Sequence, residues 1–259
     1  MRIETATEPG DPSAANEDFV AVALPAGGRG GAVVLLDGVT PPPDNGGCVH
    51  SVPWFTARLG GALLELSVSA ERPGLPGLTS CLAGAIARTA DAHRATCDLS
   101  HRLTPQATVV LARWDAERLE YLVLSDSVLL VEGAEGEVRP VLDDRIGRLR
   151  AAGRRVAPLR NTEGGFFTAA ADPDVAARAV TGSLPRESVR GFAALTDGAA
   201  RAVELFHADD WPGTFALLRK AGPEALIARV RALELADLSG LRAPRGKRYD
   251  DATAVLVEL

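Results

Sequence analysis

Apolar runs that lie beside an acidic residue recur along the chain. Four such runs, at residues 32–36, 191–195, 119–124 and 253–257, lie beside Asp37, Asp197, Asp126 and Asp250 in that order. Short, mainly apolar runs are typical of buried strands. A buried carboxylate without a partner is strongly disfavoured. Several strands that each carry an acid at one end therefore indicate that the carboxylates meet and share a cation.

Changes of hydrophobic period, together with turn-forming residues, divide the chain into predicted elements. Strands are predicted at residues 19–24, 32–36, 107–114, 119–124, 128–131, 190–195 and 253–257. Helices are predicted at residues 52–68, 79–96, 143–153, 173–180 and 199–206, with one or two more over 213–238. Residues 1–16 are expected to form a loop or a short edge strand. The three strands between residues 107 and 131 are expected to form a meander.

The first two strands are predicted to form a hairpin through the turn-forming residues 25–30. The start of one strand then lies beside the end of the next, which brings Glu17 and Asp18 close to Asp37. The order of strands, two helices, strands, helices and a final strand indicates an α+β fold. We therefore expect a single domain over residues 1–259, a four-layer α-β-β-α sandwich of two antiparallel sheets with a helical pair on each outer face.

Composition and charge narrow the function classes. The 259 residues are 46% hydrophobic and 24% charged, with a formal net charge of -6. Nonspecific nucleic-acid binding needs a basic surface, so no nucleic-acid partner is expected, and no segment is long and apolar enough to span a membrane. The cysteines and histidines lack the spacing of zinc ligands; they are Cys48, Cys81, Cys97, His50, His93, His101 and His207. We interpret the cysteines as reduced buried thiols, which fits a cytoplasmic protein.

The acids themselves suggest a type of metal. Ligand sets made only of oxygen suit hard cations such as magnesium, manganese or calcium. Asp37, Asp197 and Asp250 would build a bridged two-ion site together with the carbonyl of Gly38, since a glycine lets the chain turn sharply and expose its carbonyl. Two such ions about 3.5–4 Å apart lower the pKa of a bridging water and bind a phosphoryl oxygen.

Each acid also has a simpler interpretation when it is taken alone. An Asp-Gly pair after a strand is usually a turn, and Asp126 between two serines would by default lie in a hairpin turn. Asp250 and Asp251 could form a helix N-cap or a solvated pair, and the arginines of residues 145–155 could be a solvated helix face. Four strand-edge acids in this order favour the metal site.

Five short motifs occur in the order and spacing of a known family: residues 16–18, 33–38, 107–111 with 124–127, 194–198 and 249–255. Through them nearly the whole chain resembles the protein phosphatase 2C family, the metal-dependent serine/threonine phosphatases. The resemblance implies a β-sandwich flanked by helical pairs, with two manganese or magnesium ions at one end of the sandwich.

The resemblance also implies a role for each acid. Four residues would bind the two ions, namely Asp37, Gly38 through its carbonyl, Asp197 and Asp250. Asp126 would lie near a third, weaker ion. Glu17 and Asp18 would mainly hold metal-bound waters, so that they join Asp37 in the expected catalytic group.

The chain departs from the family pattern where phosphate is recognised. Ser13 replaces the family's arginine before the first acidic motif, and Val39 lies where some members carry a histidine proton donor. Ser125 replaces a glycine before Asp126, and Arg201 lies where some members carry a further acid.

We expect an arginine from residues 145–160 to replace the missing one, with Arg145, Arg148 and Thr40 as candidate substrate-binding residues. The sequence thus favours a metal-dependent phosphomonoesterase that acts on phosphoserine or phosphothreonine in proteins, with water activated by two metal ions. The alternatives are a phosphatase for a small phosphorylated metabolite, a non-catalytic relative that binds a partner protein, and a calcium-stabilised structural domain. The oligomeric state is left open.

Overall fold

The computed structural model describes residues 1–25, 30–41, 47–68 and 76–259. Its strands are β1 (Arg2–Glu8), β2 (Phe19–Ala23), β3 (Gly31–Leu36), β4 (Val109–Trp114), β5 (Arg118–Leu124), β6 (Val128–Gly133), β7 (Val138–Val141), β8 (Val180–Pro185), β9 (Val189–Leu195) and β10 (Ala252–Glu258). Its α-helices are α1 (Val52–Val68), α2 (Leu78–His93), α3 (Arg145–Ala151), α4 (Asp197–Glu204), α5 (Trp211–Ala221) and α6 (Pro223–Ala236). Short 3-10 turns cover Ala157–Leu159, Pro173–Arg178 and Arg186–Ser188.

The strands form two antiparallel sheets of five strands each. The first sheet has the order β1-β10-β9-β6-β7, and the second has the order β2-β3-β4-β5-β8. Helices α1 and α2 cover the outer face of the second sheet, where Phe55 and Ile86 are buried. Helices α4, α5 and α6 cover the outer face of the first sheet, where Phe215 and Leu226 are buried. The predicted four-layer α+β sandwich is confirmed, although three helices rather than two cover the first sheet.

The central strands are covered on both faces. Val33 and Leu35 of β3 contribute to the core between the sheets, which also contains Phe192 of β9. Val34 and Leu36 contribute to the core under α1 and α2. Every residue of β3 is therefore buried, which explains why its sequence is apolar throughout instead of alternating.

The predicted hairpin of β2 and β3 is present. Phe19 at the start of β2 pairs with Leu36 at the end of β3. This register brings Asp18 and Asp37, which flank the two strands, to the same edge of the sheet. Residues 26–29 of the predicted turn lie outside the described residues.

The predicted meander over residues 107–131 is wrong at its third strand. β4 pairs with β5, but β6 pairs with β7 and β9 in the first sheet. The chain changes sheets at residues 125–127, where Ser125 adopts a φ of 71°, a left-handed conformation that redirects the backbone. In the second sheet the neighbour of β5 on the side away from β4 is β8, not β6. Asp126 therefore lies on a crossover between the sheets and not in a hairpin turn.

Most of the other differences from the sequence prediction concern strands at the edges of the sheets. β1 is an edge strand, one of the two expectations for residues 1–16. β7 and β8 were not predicted; they are also edge strands, and β8 is half exposed along its length. Edge strands bury fewer side chains, so their hydrophobic signal is weak. The helix predicted at 173–180 is a 3-10 turn, Pro173–Arg178, followed directly by β8.

No helix within the described part of the chain has the length and apolar character needed to cross a bilayer.

Two adjacent glycines of α1 offer a test of how tightly the helix packs on the second sheet. A Cβ atom at Gly60 would overlap the ring of Phe19, whereas a Cβ atom at Gly61 would meet open space. We predict that Gly61→Ala raises the free energy of unfolding by up to about 1 kcal/mol through helix propensity. Gly60→Ala should be less stable than Gly61→Ala by roughly 1–3 kcal/mol because of overpacking. Urea unfolding measures both, and equal stability of the two variants would contradict the packing described here.

Candidate functional site

A cavity of about 760 Å³ opens at the edge of the sandwich where β3 and β9 end and β10 begins. Five acids from separate parts of the chain line it: Asp37, Asp126, Asp197, Glu204 and Asp250. The strand-end pattern of the sequence pointed to four of these acids, and the fold does bring them to one place. Glu204 is an addition from α4.

Asp37 is fixed by its backbone at the end of β3. Its N–H donates to Thr108 Oγ1 at 3.2 Å, and its carbonyl accepts from the Thr108 N–H at 2.9 Å. Thr108 Oγ1 also lies 2.6 Å from Ser127 Oγ, which ties the end of β3 to the crossover that carries Asp126. A Cβ atom at Gly38 would overlap Val52 and the backbone of Glu17. Only glycine therefore fits after Asp37.

Asp18 is held beneath the cavity by the ends of two strands of the first sheet. Thr196 Oγ1 donates to Asp18 Oδ2 at 3.0 Å and accepts from the Thr253 N–H at 2.9 Å. The other oxygen of Asp18, Oδ1, is buried and has no hydrogen-bond partner within residues 1–25, 30–41, 47–68 and 76–259. A buried oxygen of this kind needs a donor or a cation. Burial is the main cause that raises the pKa of Asp18 to about 7, and the neighbouring charges of Asp251 and Asp197 contribute to this rise.

The acids around the cavity raise one another's pKa. Burial is the main cause at Asp37, whose pKa lies well above the ordinary value, and Asp197 and Asp18 add to it. Burial followed by Asp126 and Asp250 raises the pKa of Asp197 to about 7. Glu204 is more exposed than the other acids, and partial desolvation followed by Asp126 and Asp197 raises its pKa to about 7.

Such a group of crowded oxygens fits a divalent cation. Clustered carboxylates without a counter-charge are costly, and a bound cation relieves their repulsion. The donor set consists of carboxylates and the Gly38 carbonyl, which suits magnesium or manganese. The residues present therefore fit the ions that the sequence predicted.

Asp250 is already paired with two cationic side chains. Arg201 Nη2 donates to its Oδ2 at 2.8 Å, and Lys247 Nζ donates to its Oδ1 at 2.6 Å. Arg201 is 7% exposed and also binds buried Glu234 at 2.6 Å. A carboxylate has about four acceptor positions, so Asp250 keeps capacity for a further ligand. Arg201, which lies where the resemblance led us to expect an acid, holds Asp250 against α6.

Asp251 is neither a helix cap nor a solvated partner of Asp250. Its Oδ1 accepts from the Gly10 N–H at 2.8 Å, and its Oδ2 accepts from the Glu17 N–H at 2.7 Å. It thereby fastens the loop between β1 and β2 to the start of β10. The Glu17 carboxylate in turn accepts a hydrogen bond from Thr40 Oγ1, and burial raises its pKa.

The structure places Arg145 and Arg148, our candidate substrate-binding arginines, away from the cavity. Arg145 donates to Asp143 Oδ2 at 2.9 Å and to the carbonyl of Arg178 at 2.8 Å. Arg148 pairs with Asp144 on the surface of α3, and its side chain is 69% exposed. The sequence did not show which side of α3 faces solvent and which faces the cavity. Thr40, the third candidate, does line the cavity.

Other basic residues surround the acids instead: Arg150, Arg160, Arg201, Arg245 and Lys247. Arg160 differs from the others because its Nε is buried and has no partner in the part of the chain that the structure describes. Its guanidinium lies over the ring of Phe166 at 5.6 Å, and burial lowers its pKa while Asp126 raises it. An incompletely paired guanidinium beside the acids is suited to bind an anion.

Glu204 was missed although the sequence contains a signal for it. Asp197, Arg201 and Glu204 are spaced four and three residues apart, which places them on one face of a helix. The sequence prediction began this helix at residue 199, two residues too late, so that Asp197 was not counted on that face.

Comparison with known proteins gives matches in structure and none in sequence. No protein-family model matches the chain, and no curated protein matches it. A bacterial serine phosphatase matches over 100% of this chain and 97% of its own, with 13% identity and a TM-score of 0.68. The serine/threonine phosphatase Stp1 from Staphylococcus aureus matches over 99% and 94%, with 13% identity and a TM-score of 0.64.

A third match is a structure with bound metal. It is the catalytic domain of the serine threonine protein phosphatase PstP in complex with two manganese ions, which matches over 99% of this chain and 97% of its own, with 19% identity and a TM-score of 0.61. The chain therefore has the fold of bacterial serine/threonine phosphatases over nearly its whole length. This fold is the one implied by the resemblance to protein phosphatase 2C.

The crowding of the acids predicts an unusual dependence of stability on pH. An acid whose pKa is raised on folding stabilises the protein fully below its unfolded value of about 4, and this stabilisation is lost as the pH rises through the folded value. For Asp197 the folded value is about 7. In a chelator the protein should therefore lose stability between pH 4 and pH 8, and Mn²⁺ should restore it at pH 8.

We predict that Asp197→Asn is more stable than wild type in chelator at pH 8, by about 1–3 kcal/mol, because one buried charge is removed. The variant should gain less than wild type from added Mn²⁺. Thermal unfolding at pH 5 and pH 8, with chelator or Mn²⁺, measures both effects. The control is Glu135→Gln in the exposed turn after β6, which should behave like wild type. A destabilised Asp197→Asn in chelator would show that the acids do not repel one another.

Proposed function

We propose that this protein is a metal-dependent phosphomonoesterase that hydrolyses phosphoserine or phosphothreonine in protein substrates. The observation that carries the proposal is the meeting of Asp37, Asp126, Asp197 and Asp250 from four separate strand ends, in one cavity that is also lined by arginines. The fold shared with bacterial serine/threonine phosphatases supports the same activity. No disulfide joins any two of Cys48, Cys81 and Cys97, which supports a cytoplasmic location.

Asp37, Asp197, Asp250 and the Gly38 carbonyl would hold two manganese or magnesium ions. Bound there, the ions supply positive charge to the phosphate oxygens and make water a stronger nucleophile. Asp126, which raises the pKa of both Asp197 and Glu204, offers together with Glu204 a further pair of carboxylates for a third ion.

The chain's own groups then orient the reactants. One oxygen of Asp18 is fixed by a hydrogen bond from Thr196. The other, Oδ1, has no partner among the described residues and can accept a hydrogen bond from a water molecule in the site. Glu17 is positioned by Asp251 and is linked to Thr40 at the cavity wall. Both acids would thus orient water toward the phosphorus atom rather than bind the ions directly.

Arg160 is the residue we propose to bind the substrate phosphate in place of the arginine that the sequence lacks near Ser13. Phe166 supports its guanidinium from one face, and its Nε has no partner among the described residues. Charge-assisted hydrogen bonds from guanidinium to phosphate are directional and strong. Arg150, which also lines the cavity, is the second choice.

The pairing of Asp250 favours one alternative. Arg201 and Lys247 occupy both of its oxygens, and two cations beside a metal ligand oppose the binding of a third. A non-catalytic domain that keeps the fold and binds a partner protein would tolerate this arrangement. A phosphatase for a small phosphorylated metabolite is the other alternative, since the replaced phosphate-binding residue alters the pocket.

Turnover of a generic aryl phosphate and of a phosphothreonine peptide should require Mn²⁺ or Mg²⁺ and stop in chelator. Asp197→Asn should lower kcat/KM at least about 100-fold, because the ions provide several kcal/mol of transition-state stabilisation. Glu135→Gln should match wild type. Turnover of the peptide well above the aryl phosphate supports a protein substrate. Manganese binding by calorimetry without turnover on either substrate would favour the non-catalytic domain.

For Arg160→Ala we predict a kcat/KM lower by about 10–100-fold, mostly through KM, since a charged hydrogen bond contributes about 1.5–3 kcal/mol. Arg160→Lys should recover part of the loss. Arg148→Ala is the matched control on exposed α3 and should leave the kinetics unchanged. If Arg160→Ala has no effect while Arg150→Ala does, the phosphate is bound by Arg150 instead.

A further inference from the structure

Two cysteines and two histidines from distant parts of the sequence meet beside the N-terminal end of α1. Cys48 and His50 belong to the segment that leads into α1, His93 is the last residue of α2, and Cys97 follows one turn later. One potential ligand atom from each residue lies within 4.8 Å of all the others. These residues are called the Cys-His cluster below.

The distances within the Cys-His cluster match those around a tetrahedral metal. His93 Nδ1 lies 3.4 Å from Cys48 Sγ, and His50 Nδ1 lies 3.4 Å from Cys97 Sγ. Cys48 Sγ lies 3.7 Å from His50 Nδ1. Zinc binds sulfur at about 2.3 Å and imidazole nitrogen at about 2.0–2.1 Å, so tetrahedral ligands are roughly 3.3–3.8 Å apart. These three separations fall in this range, and all four ligand atoms lie within 4.8 Å of one another.

The surroundings of the cluster direct the correct atoms inward. The imidazole of His93 is buried beside the rings of Trp54 and Phe55. Its Nδ1 is the nitrogen that faces the cluster, because this atom lies 3.4 Å from Cys48 Sγ. The ring of His50 stacks on Trp54 at 3.9 Å between centroids, which fixes its orientation. The Val49 N–H donates to Cys97 Sγ at 3.4 Å, a type of contact that supports metal-bound thiolates.

We propose that the Cys-His cluster is a structural zinc site with four protein ligands, separate from the carboxylate cavity. Two thiolates and two imidazoles form a closed set that suits zinc, whereas the oxygen ligands of the cavity suit harder cations. The spacing of the residues hid this site in the sequence. Its two halves are a C-x-H pair and an H-x₃-C pair that lie more than forty residues apart, and only the packing of α1 on α2 unites them.

The sequence interpretation of three reduced buried thiols is thus corrected at two positions. Only Cys81 is buried, whereas Cys48 and Cys97 are partly exposed and lie against histidines. Cys81 donates instead to the carbonyls of Leu66 and Pro76 within the helical layer.

A zinc ion here would join the entrance of α1 to the end of α2. A hydrogen bond already links the same two segments: the Asp98 N–H, after α2, donates to the Gly47 carbonyl, before α1, at 2.5 Å. Val52, the first residue of α1, touches Gly38 next to Asp37. The ion would therefore stabilise the α1 end of the cavity wall without contacting the cavity.

Metal analysis of the purified full chain tests the proposal directly. We expect about one zinc per chain in wild type, as for other closed sites of this type. The zinc content should be near zero in Cys48→Ser and in His50→Gln. The His50→Gln substitution changes a partly exposed side chain and should therefore leave the fold intact. Cys81→Ser and Asp197→Asn are the matched controls and should retain zinc, since neither residue belongs to the cluster. Circular dichroism checks that each variant is folded.

Cobalt substitution supplies a readout independent of stability and activity. Tetrahedral cobalt bound to thiolates gives strong visible bands and sulfur-to-metal charge transfer, which cobalt bound to carboxylates in the cavity does not give. We expect these bands in wild type and Asp197→Asn and their loss in Cys48→Ser. The proposal is overturned if wild type purified with zinc contains none, if Cys48→Ser retains zinc, or if mass spectrometry shows a disulfide between Cys48 and Cys97 in place of the metal.

Discussion

The electrostatic cost of assembling acids at one edge of the sandwich is the constraint on which the rest of the structure depends. Asp37 and Asp197 are partly buried, and the charge of Asp197 raises the pKa of Asp37 while Asp126 and Asp250 raise that of Asp197. An arrangement of this kind persists only if the surrounding scaffold is rigid enough to hold it. Strands covered on both faces provide that rigidity, because β3, β9 and β10 are almost entirely buried between the helical layers. The large core thus serves to keep a few unfavourable charges in fixed positions.

Ion pairs connect the acids of the cavity with the helices that cover the first sheet. Arg201 connects Asp250 with Glu234 of α6, and Arg231 connects Glu234 with Glu8 of β1 and with the carbonyl of Asp250. Removal of one member of such a network leaves a buried charge without a partner. The position of Asp250 therefore depends on α4, α6 and β1 at once, and a change in the helical layer of the first sheet reaches the acids through these contacts.

The fold class and four of the five cavity acids could be predicted because they depend on local patterns. The uniformly apolar β3 followed by Asp37 and Gly38, and the same pattern before Asp197, identify buried strands that end in acids. What the sequence did not predict depends on tertiary packing. The turn at residues 125–127 gives no sign that β6 joins the other sheet. Arg148 and Arg150, two residues apart on α3, lie on different faces of the helix, and the sequence does not say which face turns to solvent and which to the cavity. Cys48 and His93 likewise come together only through the contact of two helices.

The pairing of β1 with β10 has a consequence for the order in which the protein folds. Residues of β1 pair across almost the full sequence with residues of β10, from Arg2 with Glu258 to Glu8 with Ala252. Contacts so distant in sequence form slowly, since the entropy of closing a long loop opposes them. Asp250 and Asp251 immediately precede β10, so neither the acid group nor the anchor of the Glu17 loop exists before that strand is in place. During synthesis β1 must remain unpaired until nearly the whole domain has been made, and the nascent chain would be most exposed to aggregation at this edge.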